Sequence, residues 1–522
     1  MKRKDFLKKS IPAAMLPFFI NGFKFQAHAS TPMLKAISEA SAKNGRVFVL
    51  IQLNGGNDGL NTIIPVDQYS NLSNARSNVL IQESKVLTLN GFTGTGMHPS
   101  MVGLRNMFNS GKLNIVQSVG YPNPNFSHFR ATDIWHSASD SNQFVNNGWG
   151  GRYLEDIYPG FPTGYPNTNE PDPLAISIGY SVSTSLMGPT ANTGMAISDP
   201  VSFYQLVSGT VDPAPNTPAG HELTYVRLVL QQTQQYNTTV KAAAQSATNK
   251  ATYPLNNPLA DQLKIVANLI AGGLKTSIYT VSLGGFDTHS NQVSASGGNE
   301  TGAHADLWLK ISSAISAFQS DCEQLGIADR VAGMTYSEFG RRIKSNDSRG
   351  TDHGAAAPLI VFGTKVNPTI IGNNPTIPSV VNVDDNVPMQ YDFRQVYASV
   401  LRDWFQTDAT TTDTLLFKHF DTLAIFKPNV SVKKYTVSNQ YLMQNYPNPF
   451  KDITQIEYYS PGGKIELRLF DQRGMLISIL VNEEKTQGKY TYVLDGSELP
   501  AGNYFYQLIT EGGQTGRNLV KL

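Results

Sequence analysis

A single cysteine, Cys322, is the whole thiol complement of this 522-residue chain. No internal disulfide can form, and no cysteine-rich zinc site can be built. Export is not thereby excluded, because a chain of this length can assemble a core without cross-links. Net charge is equally scarce: 41 Lys+Arg against 40 Asp+Glu leave +1. That balance gives no reason to expect nucleic acid or an anionic membrane as partner. No segment approaches the roughly 18 uninterrupted apolar residues of a spanning helix, so no transmembrane span is expected in the mature chain. Histidine is sparse too, at nine. What is present is an ordinary globular composition, 40% apolar and 16% charged, with abundant Gly, Asn, Ser, Thr and Tyr. It suits a loop-rich protein of two or three domains outside the cytoplasm.

The first residues fit that compartment. "MKRKDFLKKS" is a basic leader, "IPAAMLPFFINGF" a short apolar-biased stretch broken by Pro12 and Pro17, and "AHA" before Ser30 a small-residue cleavage site. Residues 1–29 are therefore expected to be a signal peptide and not a membrane helix. Arg3-Lys4-Asp5-Phe6-Leu7-Lys8 is similar to the twin-arginine motif with Lys4 in place of the second arginine, which leaves the general and twin-arginine routes both open.

From residue 45 to 426 apolar runs of strand length alternate with segments of helical period. "RVFVLIQLNGGNDGLNT" reads as a buried strand breaking into a glycine-rich loop. "KTSIYTVSLGG", "RVAGMTYSEFG" and "APLIVFG" read as further strands, and "HADLWLKISSAISAFQSDCEQLG" and "DFRQVYASVLRDWF" as helices. The alternation predicts an α/β unit with a mostly parallel sheet covered by helices on both faces. Ligands of such sheets bind where loops leave the carboxyl ends of the strands. Asp58, Asp287, His289 and Glu338 follow predicted strands, whereas His353 precedes one, so its loop must return it to the same rim. The Pro-, Gly- and Asn-rich stretch from Pro159 to Pro200 reads as an elaborated surface region or lid. Residues 427–441 read as a linker. From Leu442 to Leu522 short alternating strands, such as "KIELRLFDQRG", predict a small all-β sandwich.

Two resemblances are carried by these motifs. "QNYPNPF", "TQIEYYSP", "LRLFDQRG", "QGKYTYVLDGSELPAGNYFYQL" and "RNLVKL" resemble the type A sorting domain of the type IX secretion system. That resemblance covers residues 442–522 and implies the type IX machinery of a Bacteroidetes-type bacterium as partner, with passage to the cell surface or medium. A carbohydrate-binding or adhesive β-module is the other reading of this region. "LNGGNDGLNTIIP", "MHPSM", "FSHFRATDIW", "GGFDTHSNQ", "SEFGRR" and "GTDHGAAAP", in that order, resemble domain of unknown function 1501. Its fold resemblance is to the alkaline phosphatase and sulfatase superfamily, which implies an alkaline-phosphatase-like sheet and a site for one or two divalent ions, Zn²⁺, Mg²⁺ or Ca²⁺.

Within that frame Asp287 and His289 are the strongest candidate metal ligands, since a two-residue spacing in a glycine-led loop aims a carboxylate and an imidazole at one ion. An Asx-turn with a surface histidine is the alternative. His353 resembles the late histidine of the superfamily, with Asp352 either a ligand, a carboxylate orienting an imidazole, or a turn residue. Asp58 takes the position after the first strand, although Asn54 and Asn57 share its loop. Ser127 is the candidate nucleophile at a helix start, against a plain N-cap, and Arg130 could fork two anionic oxygens. Glu338 completes the candidate metal set but marks a departure: the superfamily shows Asp-His-Gly after this strand, whereas this chain reads Ser-Glu-Phe-Gly, and Phe339 cannot ligate. His128 and His136 are either orienting groups or helix-face residues. Two functions follow: a secreted metal-dependent hydrolase of phosphate or sulfate esters, acting on an anionic ester or polysaccharide, or a catalytically degenerate surface-binding or structural protein.

Overall fold

The computed structural model describes residues 45–198, 236–428 and 442–522, except 473, 511 and 512, together with two short paired strands, Pro17–Ile20 and Phe23–Gln26. The rest of the expected signal peptide and most of the expected linker lie outside the described residues. The chain divides into two compact units, Met1–Pro428 and Asn429–Leu522.

The larger unit is organised by β1, Val47–Asn54. Its side chains alternate between two cores: Val47, Val49, Ile51 and Leu53 join one, Phe48 and Leu50 the other. A strand apolar on both faces must be covered on both. One face receives α1 (Val102–Asn109), α4 (Pro258–Ala271) and α5 (Ala303–Gln324). The other receives α2 (His128–Ser137), α3 (Trp149–Ile157) and α6 (Phe393–Ser399).

The remaining strands are β2 (Leu113–Gly120), β3 (Ala175–Ile178), β4 (Gly194–Ile197), β5 (Ile278–Gly284), β6 (Val331–Tyr336), β9 (Ala357–Gly363), β10 (Ile370–Ile371) and β11 (Tyr391–Asp392). Their order is β10-β2-β9-β6-β1-β5-β3-β4, with β11 also pairing β2. A separate hairpin, β7 (Arg341–Ser345) with β8 (Thr351–His353), lies between β6 and β9 in sequence. Within the sheet β9 alone runs antiparallel to its neighbours β6 and β2. Its beginning therefore lies at the carboxyl rim, which is how a histidine preceding a strand reaches the same edge as residues that follow one.

The stretch from Pro159 differs from its reading as a surface region or lid: β3 and β4 extend the central sheet beyond β5. Four-residue strands flanked by Pro and Gly leave too short a run for periodicity to register. The segment 222–247, whose apolar spacing predicts a helix, is described only from residue 236, and it is helical to residue 246.

The smaller unit is all-β. Strands β12 (Ile453–Ser460) and β15 (Gly488–Asp495) pair in one sheet. A second sheet orders β14 (Leu476–Lys485), β13 (Gly463–Asp471), β16 (Gly502–Thr510) and β17 (Gly513–Lys521). All these pairings are antiparallel. Alternate residues Ile465, Leu467 and Leu469 of β13 and Tyr504, Tyr506 and Leu508 of β16 point into one core.

Candidate metal centre at the carboxyl rim

Four side chains meet where β1, β2, β5 and β6 end. Asp287 and His289 follow β5, His353 closes the β7–β8 hairpin, and His128 opens α2 after β2. His289 Nε2 lies 2.9 Å from His353 Nε2, and each lies 3.2 Å from Asp287 Oδ1. Across the carboxylate, His128 Nε2 stands 3.6 Å from Asp287 Oδ2. His128, Asp287 and His353 also form a three-residue group whose ligand atoms lie within 4.8 Å of one another.

The other ring nitrogens show why these atoms converge. His353 Nδ1 lies 2.8 Å from the Phe126 carbonyl, His289 Nδ1 2.8 Å from Asp352 Oδ1, and His128 Nδ1 2.9 Å from Glu338 Oε1. Each partner is an acceptor, which suits a proton on Nδ1 and turns Nε2 of each ring toward Asp287. Acceptors facing one another at this distance require positive charge among them. A proton on one imidazole would supply it, and so would a metal ion. Ligand atoms about 2.0–2.1 Å from a tetrahedral Zn²⁺ stand about 3.3 Å apart, which matches the spacing of the triangle. Carbonyl and carboxylate partners on the far nitrogens are the usual means of orienting ligating histidines.

Electrostatics hold the Asp287 and Asp352 carboxyls low and the His353 imidazole below its ordinary value. Burial alone would raise the Asp287 carboxyl, but the Arg341 hydrogen bond, the adjoining His353 and the Arg341 charge outweigh it and hold its pKa down to about 2. Desolvation lowers the His353 imidazole below its ordinary value, only partly offset by its bonds to Phe126 and Asp287. The Asp352 carboxyl, which burial would raise, is held low by His289 and Asn346.

Two buried groups hold the loops from behind. Arg341 is fully buried and donates to the carbonyls of Gly55, Gly56 (2.8 Å), Phe286 (2.9 Å) and Thr351 (2.7 Å), and to Asp287 Oδ1 (2.8 Å). One guanidinium thus ties together the loops after β1 and β5 and the hairpin carrying His353. Gln292, also fully buried, accepts from Thr288 Oγ1 at 3.0 Å and Thr351 Oγ1 at 2.7 Å, and donates to Asp58 Oδ2 at 2.6 Å. Thr288 lies between Asp287 and His289, and Thr351 two residues before His353, so Gln292 clamps both ligand-bearing loops to one point. The approach is close: a Cβ on Gly55, whose φ is +124°, would collide with the Asp287 backbone nitrogen.

The other expected site residues are placed as follows. Asp58 is not brought to the cluster; it is buried in an ion pair with Arg76 and bonded to Gln292. Burial would raise its carboxyl, and the Arg76 charge with the Gln292 and Arg76 bonds keeps it low. Glu338 is buried and accepts from the Gly55 N–H at 2.7 Å as well as from His128, so it orients an imidazole instead of facing Asp287. Asp352 plays the same part for His289. Phe339, where the resemblance implies a histidine, packs its ring 4.5 Å from that of His353 and 5.0 Å from that of His128. Ser127 occupies the N-cap of α2, exposed, with no side-chain capping bond. Arg130 donates to the carbonyls of Asp140, Ser141 and Gln143 and covers the Phe144 ring. The grouping of His128 with the cluster is what the sequence conceals. Its one signal is position, at the helix start directly beyond a strand end.

The family described as protein of unknown function (DUF1501) matches residues 115–414, and the secretion system C-terminal sorting domain matches residues 444–521. No curated protein matches the chain significantly. Solved structures that are similar include the PsFucS1 sulfatase from Pseudoalteromonas sp., at 10% identity and TM-score 0.32 over 90% of this chain and 88% of that one. BT1596, a 2-O GAG sulfatase, is 8% identical with TM-score 0.28 over 91% and 85%. Ps i-CgsB, solved with k-i-k-neocarrahexaose, is 9% identical with TM-score 0.30 over 72% and 73%. Likeness at this level assigns neither a substrate nor site residues to this chain.

Proposed function

For a chain that belongs to the DUF1501 family and carries a secretion sorting domain addressing it to the cell surface or the extracellular space, we propose the function of a metal-dependent ester hydrolase. The observation that carries this reading is the convergence of three Nδ1-anchored imidazoles and one low-pKa carboxylate on a single point. In this reading Asp287, His289 and His353 hold one divalent ion, with His128 as a fourth donor. A set of imidazoles with one carboxylate favours a borderline ion such as Zn²⁺ over Mg²⁺ or Ca²⁺, which prefer oxygen. With Asp58 and Glu338 turned to other partners, the residues provide for one ion and not two.

A bound divalent ion supplies Lewis acidity and lowers the pKa of coordinated water or hydroxyl. The chain supplies the rest. Arg341 fixes the Asp287 carboxylate, Asp352, Glu338 and the Phe126 carbonyl fix the imidazole tautomers, and Gln292 keeps the two loops in register. Ser127, exposed at the start of α2 and one residue from His128, is the nucleophile candidate within the chain, aided by the N–H groups of the first helical turn. The superfamily resemblance directs the reading to phosphate or sulfate monoesters.

A second reading, a metal-stabilised surface-binding protein, is favoured by one observation. Arg341 is committed to four carbonyls and Asp287, and Arg342 bonds to the carbonyls of His353 and Asp384. Arg130 commits one guanidinium nitrogen to the carbonyls of Asp140, Ser141 and Gln143, so none of the three stands wholly open to a transferring anion. Assay of the metal-loaded protein on aryl phosphate, sulfate and acetate esters separates the two. The hydrolase reading expects turnover of at least one class, abolished in His289→Ala. Turnover undiminished in Ser127→Ala assigns attack to water, and absence of turnover on every class leaves the binding protein.

A further inference from the structure

Beside the cluster the carboxyl rim opens into a cleft that the metal-site residues do not account for. A cavity of about 530 Å³ is bordered by His128, Asp287 and Glu338 on one side and by Gln52, Phe129 and Thr132 on the other. A second, of about 320 Å³, continues from it and shares Gln52, Asn54, Thr132 and Thr184. Helix α2 runs along both: His128, Thr132 and His136 fall at i, i+4 and i+8 on one face, which places His136 about 12 Å from the cluster end.

The far part is built from neutral polar groups. Ser181 and Ser282 stand exposed there, while Ser177 and Thr280 bond to each other and Ser183 to Ser185 along its wall. Buried His136 and Tyr336 join in a chain: His136 Nε2 lies 2.9 Å from the Tyr336 hydroxyl, His136 Nδ1 2.6 Å from Thr184 Oγ1, and the Tyr336 hydroxyl 3.3 Å from Gln52 Oε1. Burial keeps His136 neutral, with a pKa lowered to about 4. At the mouth, Phe129 is 87% exposed beside the cluster. Among the described residues no lysine or arginine lines either cavity, and Asp133 adds a negative charge.

Hydroxyls and amides that both donate and accept, an open aromatic face and a lining without lysine or arginine select against a polyanion, whose charges would lose water with nothing to replace it. They suit a ligand that is uncharged, rich in hydroxyls and longer than a single small ester. We propose that this cleft binds an uncharged glycan chain, laid along α2 with a ring against Phe129, so that one substituent reaches the histidine cluster. The ester at that substituent rests on the hydrolase reading; the binding of the chain does not.

The test is affinity electrophoresis of the full-length protein through gels containing neutral polysaccharides of several linkages, each paired with its sulfated counterpart. Retardation by at least one neutral polymer is expected, weakened at least tenfold in Phe129→Ala, whose exposed ring can be removed without disturbing the core. Asp133→Lys should increase retardation by the sulfated partner. Retardation by sulfated polymers alone, by no polymer, or by neutral polymers equally in wild type and Phe129→Ala would overturn the proposal. Retention of neutral polymers with no hydrolysis of any ester supports the cleft assignment while removing the hydrolase reading.

Discussion

The larger unit buries Arg76, Arg341, Asp58, Glu338, His98 and His304, whereas among the described residues of the smaller unit the buried polar groups are Asn445, Thr454, Ser460 and the stem of Lys521. Both units bury apolar residues at the period their strands require, so the contrast lies in what else is taken out of water. Unpaired buried charge is costly, and paired buried charge is at best near neutral for stability. Asp58, Arg76, Glu338 and Arg341 lie beneath one rim, behind the loops carrying Asp287, His289 and His353, whereas Arg152, Asp321 and Arg394 are buried among other partners. The smaller unit, whose part is an address, needs only to fold. Buried polarity therefore sets the larger unit apart and is concentrated around the candidate site.

Acid should separate the units most strongly. Burial holds His98, His136 and His304 neutral, with pKa values lowered to about 3, 4 and 4, and His304 also bears on His98. Once unfolded they titrate near 6.5, so below that pH the unfolded chain binds more protons than the folded one. Stability of the larger unit then falls as pH drops from about 6.5 toward about 4, by up to about 1.4 kcal/mol per pH unit per histidine. Residues 442–522 contain no histidine, and the transition of that unit should hold through the window. Thermal unfolding followed from pH 7.5 to 5 checks this, and parallel loss of both transitions would count against it.

Arg341→Met comes next. It leaves four carbonyls and Asp287 without their donor, a change expected to cost about 3–5 kcal/mol in the larger unit and none in the smaller. Leu467→Ala, in the core of the smaller unit, should cost about 2–5 kcal/mol there while leaving metal content unchanged. Asp352→Asn should leave both transitions in place and weaken metal binding about 10–100-fold, because the His289 ring loses its anionic partner. Isothermal titration with Zn²⁺ measures it.

How much of this was legible in the sequence follows the same division. The continuous apolar run of β1 required a sheet covered on both faces, and the alternation in β13 required a half-buried strand; both elements formed. Asp287, His289 and His353 stood out because acids and histidines in glycine loops are conspicuous in a chain with few histidines, and the structure brings them together. Asp58 stood out for the same reason and lies elsewhere, since a loop position does not reveal that Arg76 will claim its carboxylate. The roles of Arg341 and Gln292 were hidden, because they consist of contacts among loops far apart in sequence, and local pattern does not record which polar residue ends up buried. The strands β3 and β4 were missed through brevity.

In the proposed reading the four convergent side chains hold a metal ion and not a shared proton. Elemental analysis of the purified full-length protein, with His289→Ala and His353→Ala alongside, tests it most directly. One divalent ion per chain in the wild type, lost in both variants while the fold is retained, is the expected result. A folded wild type that carries no ion and takes up none from added Zn²⁺ would contradict it.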